Sequence, residues 1–133
     1  MMLQTVLKNE KGLTLVEVLI ALVLMLLVSL ALMQTALLSI ESNMTNALRD
    51  EAVNVAEEQM NEAKNTSFAS LLVGASSETV LKDIRNKSDF PYSVDTRVSD
   101  INTDNKKVEI DVTWNWKNTP YTHSISTIVR NND

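Results

Sequence analysis

The sequence predicts an α+β protein with a long N-terminal helix and a C-terminal antiparallel sheet of three to four strands. Residues 13–64 contain neither proline nor glycine, so one continuous helix is expected there. Residues 90–133 instead alternate apolar and polar side chains, which is the period of strands with one buried face. The first half of the helix is apolar enough to cross a membrane, and the sheet is expected to pack on the second half.

The membrane-spanning half is predicted from the absence of charge. Val18 to Ile40 is an uncharged run of 23 residues. At about 1.5 Å per residue it would rise roughly 35 Å, which exceeds a hydrocarbon core of about 30 Å. The segment over residues 13–40 is therefore expected to lie in a membrane or in an equally dry assembly of helices.

One carboxylate interrupts this apolar segment near its start, at Glu17. A lone ionisable group in lipid costs about 3 kcal/mol or more and usually marks a functional site that has a partner. Lys8 and Lys11 precede the segment, whereas Glu41 and Asp50 follow it. The positive-inside rule then places the N-terminus in the cytoplasm and residues 41–133 outside the inner membrane.

The residues Gly12-Leu13-Thr14-Leu15-Val16-Glu17, followed by the apolar helix, resemble the class III signal peptide of the type IV pilin family. In that family a prepilin peptidase cuts after the glycine and methylates the new N-terminus. The resemblance implies that residues 1–12 are a leader peptide, that Leu13 becomes the methylated first residue, and that Gly12 is the processing residue. The alternatives are an uncleaved signal anchor with a chance glutamate and, fitting less well, a secretory signal peptide, whose apolar core is only about 7–15 residues.

The chemistry of Glu17 follows from this processing. A helix rises about 6 Å over four residues, so Glu17 of one subunit could reach the Leu13 amine of a neighbour offset along a fibre. In a dry bundle such a pair is strongly favoured over two unpaired charges. We therefore expect Glu17 to set the register of subunits during assembly.

The second half of the helix, residues 41–64, is amphipathic and is expected to carry the head of the protein. From Ile40 onward the apolar residues recur at spacings of three and four: Ile40, Met44, Ala47, Leu48, Ala52, Val55, Ala56, Met60 and Ala63. Its segment RDEAVNVAEEQMNEAK, with Leu13 in place of the usual phenylalanine, resembles PilV-type minor pilins and, next, GspI-type pseudopilins of type II secretion.

Residues 65–89 are predicted to be the connecting αβ-loop, with a flexible break at Gly74 to Ser77 and a short amphipathic helix around Val80 to Ile84. The sheet over residues 90–133 is predicted to be a three-stranded meander with room for a fourth, irregular strand. Its turns are expected within Asp100 to Lys106 and Lys117 to Pro120.

Composition excludes several function classes. The net charge is −5, and the leader contributes +1, so the mature side chains sum to −5 − 1 = −6. Nucleic-acid binding proteins are usually basic, so no nucleic acid is expected as a partner. There is no cysteine, which excludes disulfides and thiolate metal sites.

Few residues suggest chemistry in the head. Asp100, Asn102, Asp104 and Asp111 have the spacing of oxygen ligands in a calcium loop. Asn105 stands where such a loop needs glycine, so a plain hairpin turn is the preferred interpretation and no cofactor is expected. Trp114 and Trp116 are expected in the core or in a subunit contact, and His123 has no second histidine or cysteine as a partner.

The sequence shows no nucleophile–base pair, phosphate loop or metal cluster, so we interpret the chain as a non-enzyme. The resemblance implies a minor pilin, a structural subunit that assists the assembly or priming of a type IV pilus. A type II secretion pseudopilin is the alternative, and a single-span envelope receptor or sensor that never polymerises is a third hypothesis from another class. The implied partners are prepilin peptidase, the inner membrane, and other minor pilins and the major pilin through the N-terminal helix. The implied location is the inner membrane, then the periplasm or a cell-surface pilus.

Overall fold

A computed structural model describes the backbone of residues 3–131 and the side chains of residues 14–131. Helix α1 spans Leu3–Asn65 without a break, so the predicted continuous helix is confirmed. The helix also runs through Gly12, which therefore does not act as a helix stop. The chain divides into two compact units, Met1–Asn43 and Met44–Asp133, and α1 contributes to both.

The second unit contains a four-stranded antiparallel sheet. A 3₁₀ turn at Phe68–Ser70 follows α1, and the strands come after it in chain order. They are β1 (Gly74–Ile84), β2 (Lys87–Asn102), β3 (Asn105–Trp116) and β4 (Thr119–Arg130). The strand order β1-β2-β3-β4 is the simple meander that short connections favour. The α+β fold with three to four strands is thereby confirmed.

The first strand corrects one prediction. The spacing of Val80, Leu81 and Ile84 suggested a short helix, but these residues lie in β1, where Val80 is half-buried, Leu81 is exposed and Ile84 is buried. Strand β2 is long enough for β1 to pair with it all the way from Val98 to Lys87. Pairing along that edge satisfies the backbone of the segment, and this tertiary contact overrides a weak local pattern. The loop after α1 is consequently shorter than predicted.

The turns are also tighter than the sequence suggested. Lys117 and Asn118 have φ values of 49° and 62°, the positive pair that a two-residue type I′ hairpin requires. At the other end of the sheet β2 extends to Asn102 and β3 begins at Asn105, so only two residues connect them. Between Lys82 and Ile84 the register to β2 shifts, and the extra residue lies in β2, where Asp89 has a φ of 54°.

The core of the second unit lies between the helix and the inner face of the sheet. Its helical members are buried at spacings of three and four, as predicted: Leu48, Ala52, Val55, Ala56 and Met60. The strands contribute Ile84, Phe90, Tyr92, Val94, Val108, Ile110, Val112 and Trp114. Full burial of one aliphatic side chain of this size stabilises the fold by about 1.5–3 kcal/mol, so this contact is the main source of stability in a chain without disulfides.

Polar contacts fix the helix and the connecting segment to the sheet. The ammonium of Lys82 in β1 lies 2.7 Å from the Glu58 carboxylate of α1, and this hydrogen bond raises the pKa of Lys82. The Lys106 ammonium donates to the carbonyl oxygens of Phe68 and Leu71 at 2.8 and 2.6 Å. It also lies 4.4 Å from the centroid of the Phe68 ring. Lys106 therefore holds the connecting segment against the start of β3.

Candidate functional site: the N-terminal apolar helix

The first unit presents an apolar surface on all sides of its helix. Every residue from Thr14 to Asn43 is exposed in the single chain, including all the large aliphatic side chains of this segment. Among the described residues α1 is the one helix long and apolar enough to cross a membrane. A helix that is apolar all round needs a dry environment on every side, which lipid or a bundle of like helices supplies.

Two hydroxyl groups within this segment are satisfied by their own helix. The Ser29 hydroxyl donates to the Met25 carbonyl at 2.8 Å, and the Thr35 hydroxyl donates to the Ala31 carbonyl at 3.1 Å. Such bonds to the preceding turn let a hydroxyl enter lipid at little cost. Neither residue therefore needs a partner from another chain.

Glu17 differs from these hydroxyls. Its carboxylate is exposed and makes no hydrogen bond or ion pair within the part of the chain whose side chains are described. It is also the sole charged residue between Lys11 and Glu41. An acid placed in oil without an internal partner requires an external one, and a cation on a second chain would meet that need.

The two residues predicted to take part in processing, Gly12 and Leu13, lie just before Glu17. The backbone at Gly12 and Leu13 is helical, whereas the Leu13 side chain lies outside the described residues. Four residues of helix separate Leu13 from Glu17, a rise of about 6 Å. The spacing on which the assembly hypothesis depends is thus present in the helix.

The residues suggested for calcium are not gathered by the fold. Asn102 and Asp104 sit at the β2–β3 turn, where the Asn102 side-chain oxygen accepts from the Asp104 backbone N–H at 3.0 Å. Asp100 pairs with Lys106 in the register, while Asp111 lies opposite Asp95, five residues farther along β3. That offset is roughly 16 Å of strand.

Asp111 has a different partner, since it forms an ion pair with Arg97. Within residues 14–131 no group of three or more histidine, aspartate or glutamate side chains could hold a metal ion. The turn interpretation therefore explains Asn102 and Asp104, and the calcium site stays a hypothesis that the geometry does not favour.

The aromatic residues belong to the core rather than to a site. Trp114 is buried, stacks on Tyr121 with ring centroids 5.6 Å apart, and packs at 5.9 Å from Tyr92. Trp116 is half-buried, and the Lys87 ammonium lies 5.2 Å from its ring centroid. His123 is a half-buried residue of β4 opposite Val112. The sequence could not have shown that Lys87 covers Trp116, because the contact depends on the β1–β2 turn.

A family model for the prokaryotic N-terminal methylation motif matches residues 7–33. The matched segment includes Gly12, Leu13 and Glu17 and continues into the apolar helix. It is followed by the helix-on-sheet architecture described above. The motif and this architecture are those of the type IV pilin and pseudopilin superfamily, and they indicate no specific subtype. No curated protein and no solved structure matches it.

The likeness to this superfamily has three consequences for the pilin-like chain. The motif implies processing by prepilin peptidase. The motif and the apolar helix together indicate a pilin-like protein anchored in the inner membrane. Its role is structural and not enzymatic, which agrees with the interpretation of the sequence.

Proposed function

We propose that this pilin-like protein is a minor pilin, a subunit that enters a type IV pilus and assists its assembly or priming. The observation that carries the proposal is Glu17, an acid that has no partner among the side chains of residues 14–131. It lies inside the methylation motif and at the head of a helix that is apolar on all sides. Such a helix is suited to leave lipid for a bundle of like helices. In that bundle its partners are other minor pilins and the major pilin.

The assembly step follows from processing. Cleavage after Gly12 frees the Leu13 amine, which is a cation at neutral pH even after one methyl group is added. The amine of an incoming subunit and the Glu17 carboxylate of a neighbour neutralise each other in the dry bundle. Because either charge alone is costly there, the pair selects one axial offset between subunits.

Replacing Glu17 tests this role. Glu17→Ala and Glu17→Val should leave membrane insertion and cleavage intact, because the apolar segment only becomes more apolar, while the amount of protein in sheared filaments falls by about tenfold or more. Ser29→Ala is the matched control, since it also removes a polar group from the segment but one that its own helix satisfies. Normal incorporation of both Glu17 variants, measured by immunoblot of filament and membrane fractions, would contradict the role in register.

A type II secretion pseudopilin is the second candidate, because the methylation motif and the apolar helix suit it equally. Deleting the gene separates the two. A minor pilin predicts fewer surface pili with secretion unchanged, whereas a pseudopilin predicts accumulation of secreted enzymes in the periplasm with normal piliation.

A further inference from the structure

The two edges of the sheet are open. In the described chain β1 and β4 each have one neighbour, so one side of each strand leaves its backbone groups unpaired. Strand β4 carries no charged side chain from Thr119 to Val129. Natural edge strands usually carry charges or irregularities that prevent another strand from pairing with them. Pro120 protects the start of this edge, but the nine residues from Tyr121 to Val129 contain neither a charge nor a proline.

One contact shows which backbone groups of β4 bond to β3 and which point outward. The Asn131 N–H donates to the Asp104 carbonyl at 2.8 Å, one pair beyond Asn105 and Arg130 in the β3–β4 register. In an antiparallel ladder, bonded and non-bonded pairs alternate. The even-numbered residues of β4 therefore direct their N–H and C=O groups away from β3.

The alternation of bonded and non-bonded pairs holds for the other strands of the sheet as well. On β3 the even residues bond to β4 and the odd residues to β2, and on β2 the even residues then bond to β1. The odd residues of β1 are left facing outward. On both edges these outward residues are also the ones whose side chains lie on the sheet face opposite the helix: Ala75, Ser77, Thr79, Leu81 and Asp83 in β1, and Thr122, Ser124, Ser126, Ile128 and Arg130 in β4. The outward backbone groups of β4 in one copy can therefore bond to those of β1 in a second copy. In that arrangement the α1 helices of both copies lie on the same face of the joined sheet.

The strand directions fit as well. An even-stranded meander has first and last strands that run in opposite directions, so β4 of one copy meets β1 of a second copy of the same orientation as an antiparallel neighbour. Copies anchored in one membrane by the same N-terminal segment share that orientation. Pairing of β4 with β4 would instead reverse one copy.

One register matches the side chains. The outward face of each edge strand carries a single large exposed aliphatic residue, Leu81 at 56% exposure in β1 and Ile128 at 62% in β4. Placing these two opposite each other also places Val80 opposite Val129 on the inner face, where both are half-buried. A slip of two residues in either direction, the smallest that keeps the phase, sets Leu81 against Ser126 or Arg130 instead. Cross-strand apolar pairs are the contacts that specify register.

The charges of the two edges do not oppose this pairing. On the outward faces the β1 edge carries only Asp83 and the β4 edge only Arg130, which have opposite signs. In the matched register Asp83 lies opposite Ser126, and Arg130 lies opposite Thr79. No like charges meet.

We infer that the β4 edge binds the β1 edge of a second copy of this chain, so that the sheets of adjoining heads join with Leu81 of one copy opposite Ile128 of the other. The contact is head-to-tail, and contacts of that kind continue into rings or filaments rather than stopping at a dimer. The inference rests on the proposed function in one respect, the shared orientation of the copies. It adds a contact between heads to the contact between N-terminal helices.

Cysteine cross-linking tests the contact, because the chain has no native cysteine. The full-length double variant Leu81→Cys with Ile128→Cys is expressed in host membranes with the native assembly genes and mildly oxidised. In one chain Leu81 is level with Pro120 of β4, eight residues from Ile128. The two positions are therefore about 14 Å apart across the four strands and about 26 Å apart along them, which is too far for an internal disulfide. We expect a ladder of dimers, trimers and higher species on a non-reducing gel. Each single variant, and Leu81→Cys combined with Ser99→Cys on exposed β2, should stay monomeric.

A proline variant provides the second measurement. The Ser126 N–H faces outward, so Ser126→Pro in the double-cysteine background removes a bond to the second copy without breaking the bonds to β3. The ladder should fall at least fivefold, whereas Ser126→Ala should leave it unchanged. Both variants should keep the melting temperature of the parent, which separates loss of pairing from loss of folding.

The outcomes separate this contact from the proposed function. A ladder in membranes from a protein that never enters filaments would support the contact and contradict the pilin role. Incorporation into filaments without a ladder would overturn the contact between heads but not the pilin role. Dimers formed by the single variant Ile128→Cys would also overturn this contact, because they would indicate pairing of β4 with β4. If the protein neither enters filaments nor forms a ladder, both the contact and the pilin role are overturned.

Discussion

At the scale of single residues, the hydroxyl of Tyr92 shows how the head is fixed. Tyr92 is fully buried in β2, and its hydroxyl donates to the Leu48 carbonyl of α1 at 2.9 Å. The bond joins the sheet to a backbone atom rather than to a side chain. Apolar packing is non-directional, so a buried polar contact of this kind selects one alignment of helix on sheet.

Removing this hydroxyl should weaken the head. We expect Tyr92→Phe to lower the free energy of unfolding by about 1 kcal/mol, since the ring stays packed and one buried hydrogen bond is lost. For a domain of this size the melting temperature should fall by about 4–8 °C, measured by circular dichroism on the full chain in detergent. Tyr121→Phe is the control, because Tyr121 contacts Trp114 through its ring. An equal loss in both variants would contradict the role given to the Leu48 contact.

The same residue predicts a pH dependence. Burial raises the pKa of the Tyr92 hydroxyl well above its ordinary value, and the nearby Glu51 adds to the effect. An unfolded tyrosine ionises near pH 10 while Tyr92 stays protonated in the folded state, so stability is retained below about pH 10 and lost as the pH rises further. The stability difference between the parent and Tyr92→Phe should therefore shrink above about pH 10.

At the scale of elements, the connecting segment and β1 show where sequence patterns fail. The helix and strands β2 to β4 are predictable, because their periods extend over many residues and one face of each is buried. Strand β1 is not, since exposed Gly74 to Thr79 has no alternation and its pairing depends on the length of β2. The two hydrogen bonds by which Lys106 holds the connecting segment are equally unpredictable from the sequence, because their acceptors are backbone carbonyls more than thirty residues away.

Lys106→Met should loosen the connecting segment. The variant keeps the aliphatic stem but loses two charge-assisted hydrogen bonds, so local opening around residues 66–73 should become easier by about 1 kcal/mol. Limited proteolysis should cut there about fivefold faster. Lys107→Met is the matched control, since Lys107 bonds to Glu109 in its own strand. Equal cleavage of the two variants would contradict the role of Lys106 in holding the connecting segment.

At the scale of the whole molecule, stability is expected to come from apolar packing and not from an ion. The β2–β3 turn uses the Asn102 oxygen for its own backbone, and the fold places Asp111 beside Arg97. Adding a calcium chelator should therefore leave the melting temperature of the purified protein unchanged. A fall of more than a few degrees, restored by added calcium, would revive the calcium hypothesis.

The candidate site follows from the sequence more completely than the head does. Glu17, Leu13 and Gly12 are close in the chain, so a helix alone sets their spacing, and the methylation motif lies in one contiguous stretch. What the site does depends on a second chain, and a sequence does not show its neighbours. The edge-strand contact has the same origin, because it needs the sheet order and the hydrogen-bond phase, which only the folded structure supplies.

Processing is the central requirement for assembly, since an acid at position 17 is tolerated in the apolar segment only if a new cation appears beside it. The direct measurement is intact-mass and N-terminal peptide mass spectrometry of the protein purified from its host membranes. We predict a chain that begins at Leu13 and carries one methyl group on its amine. A chain that still begins at Met1 or Met2 would contradict it.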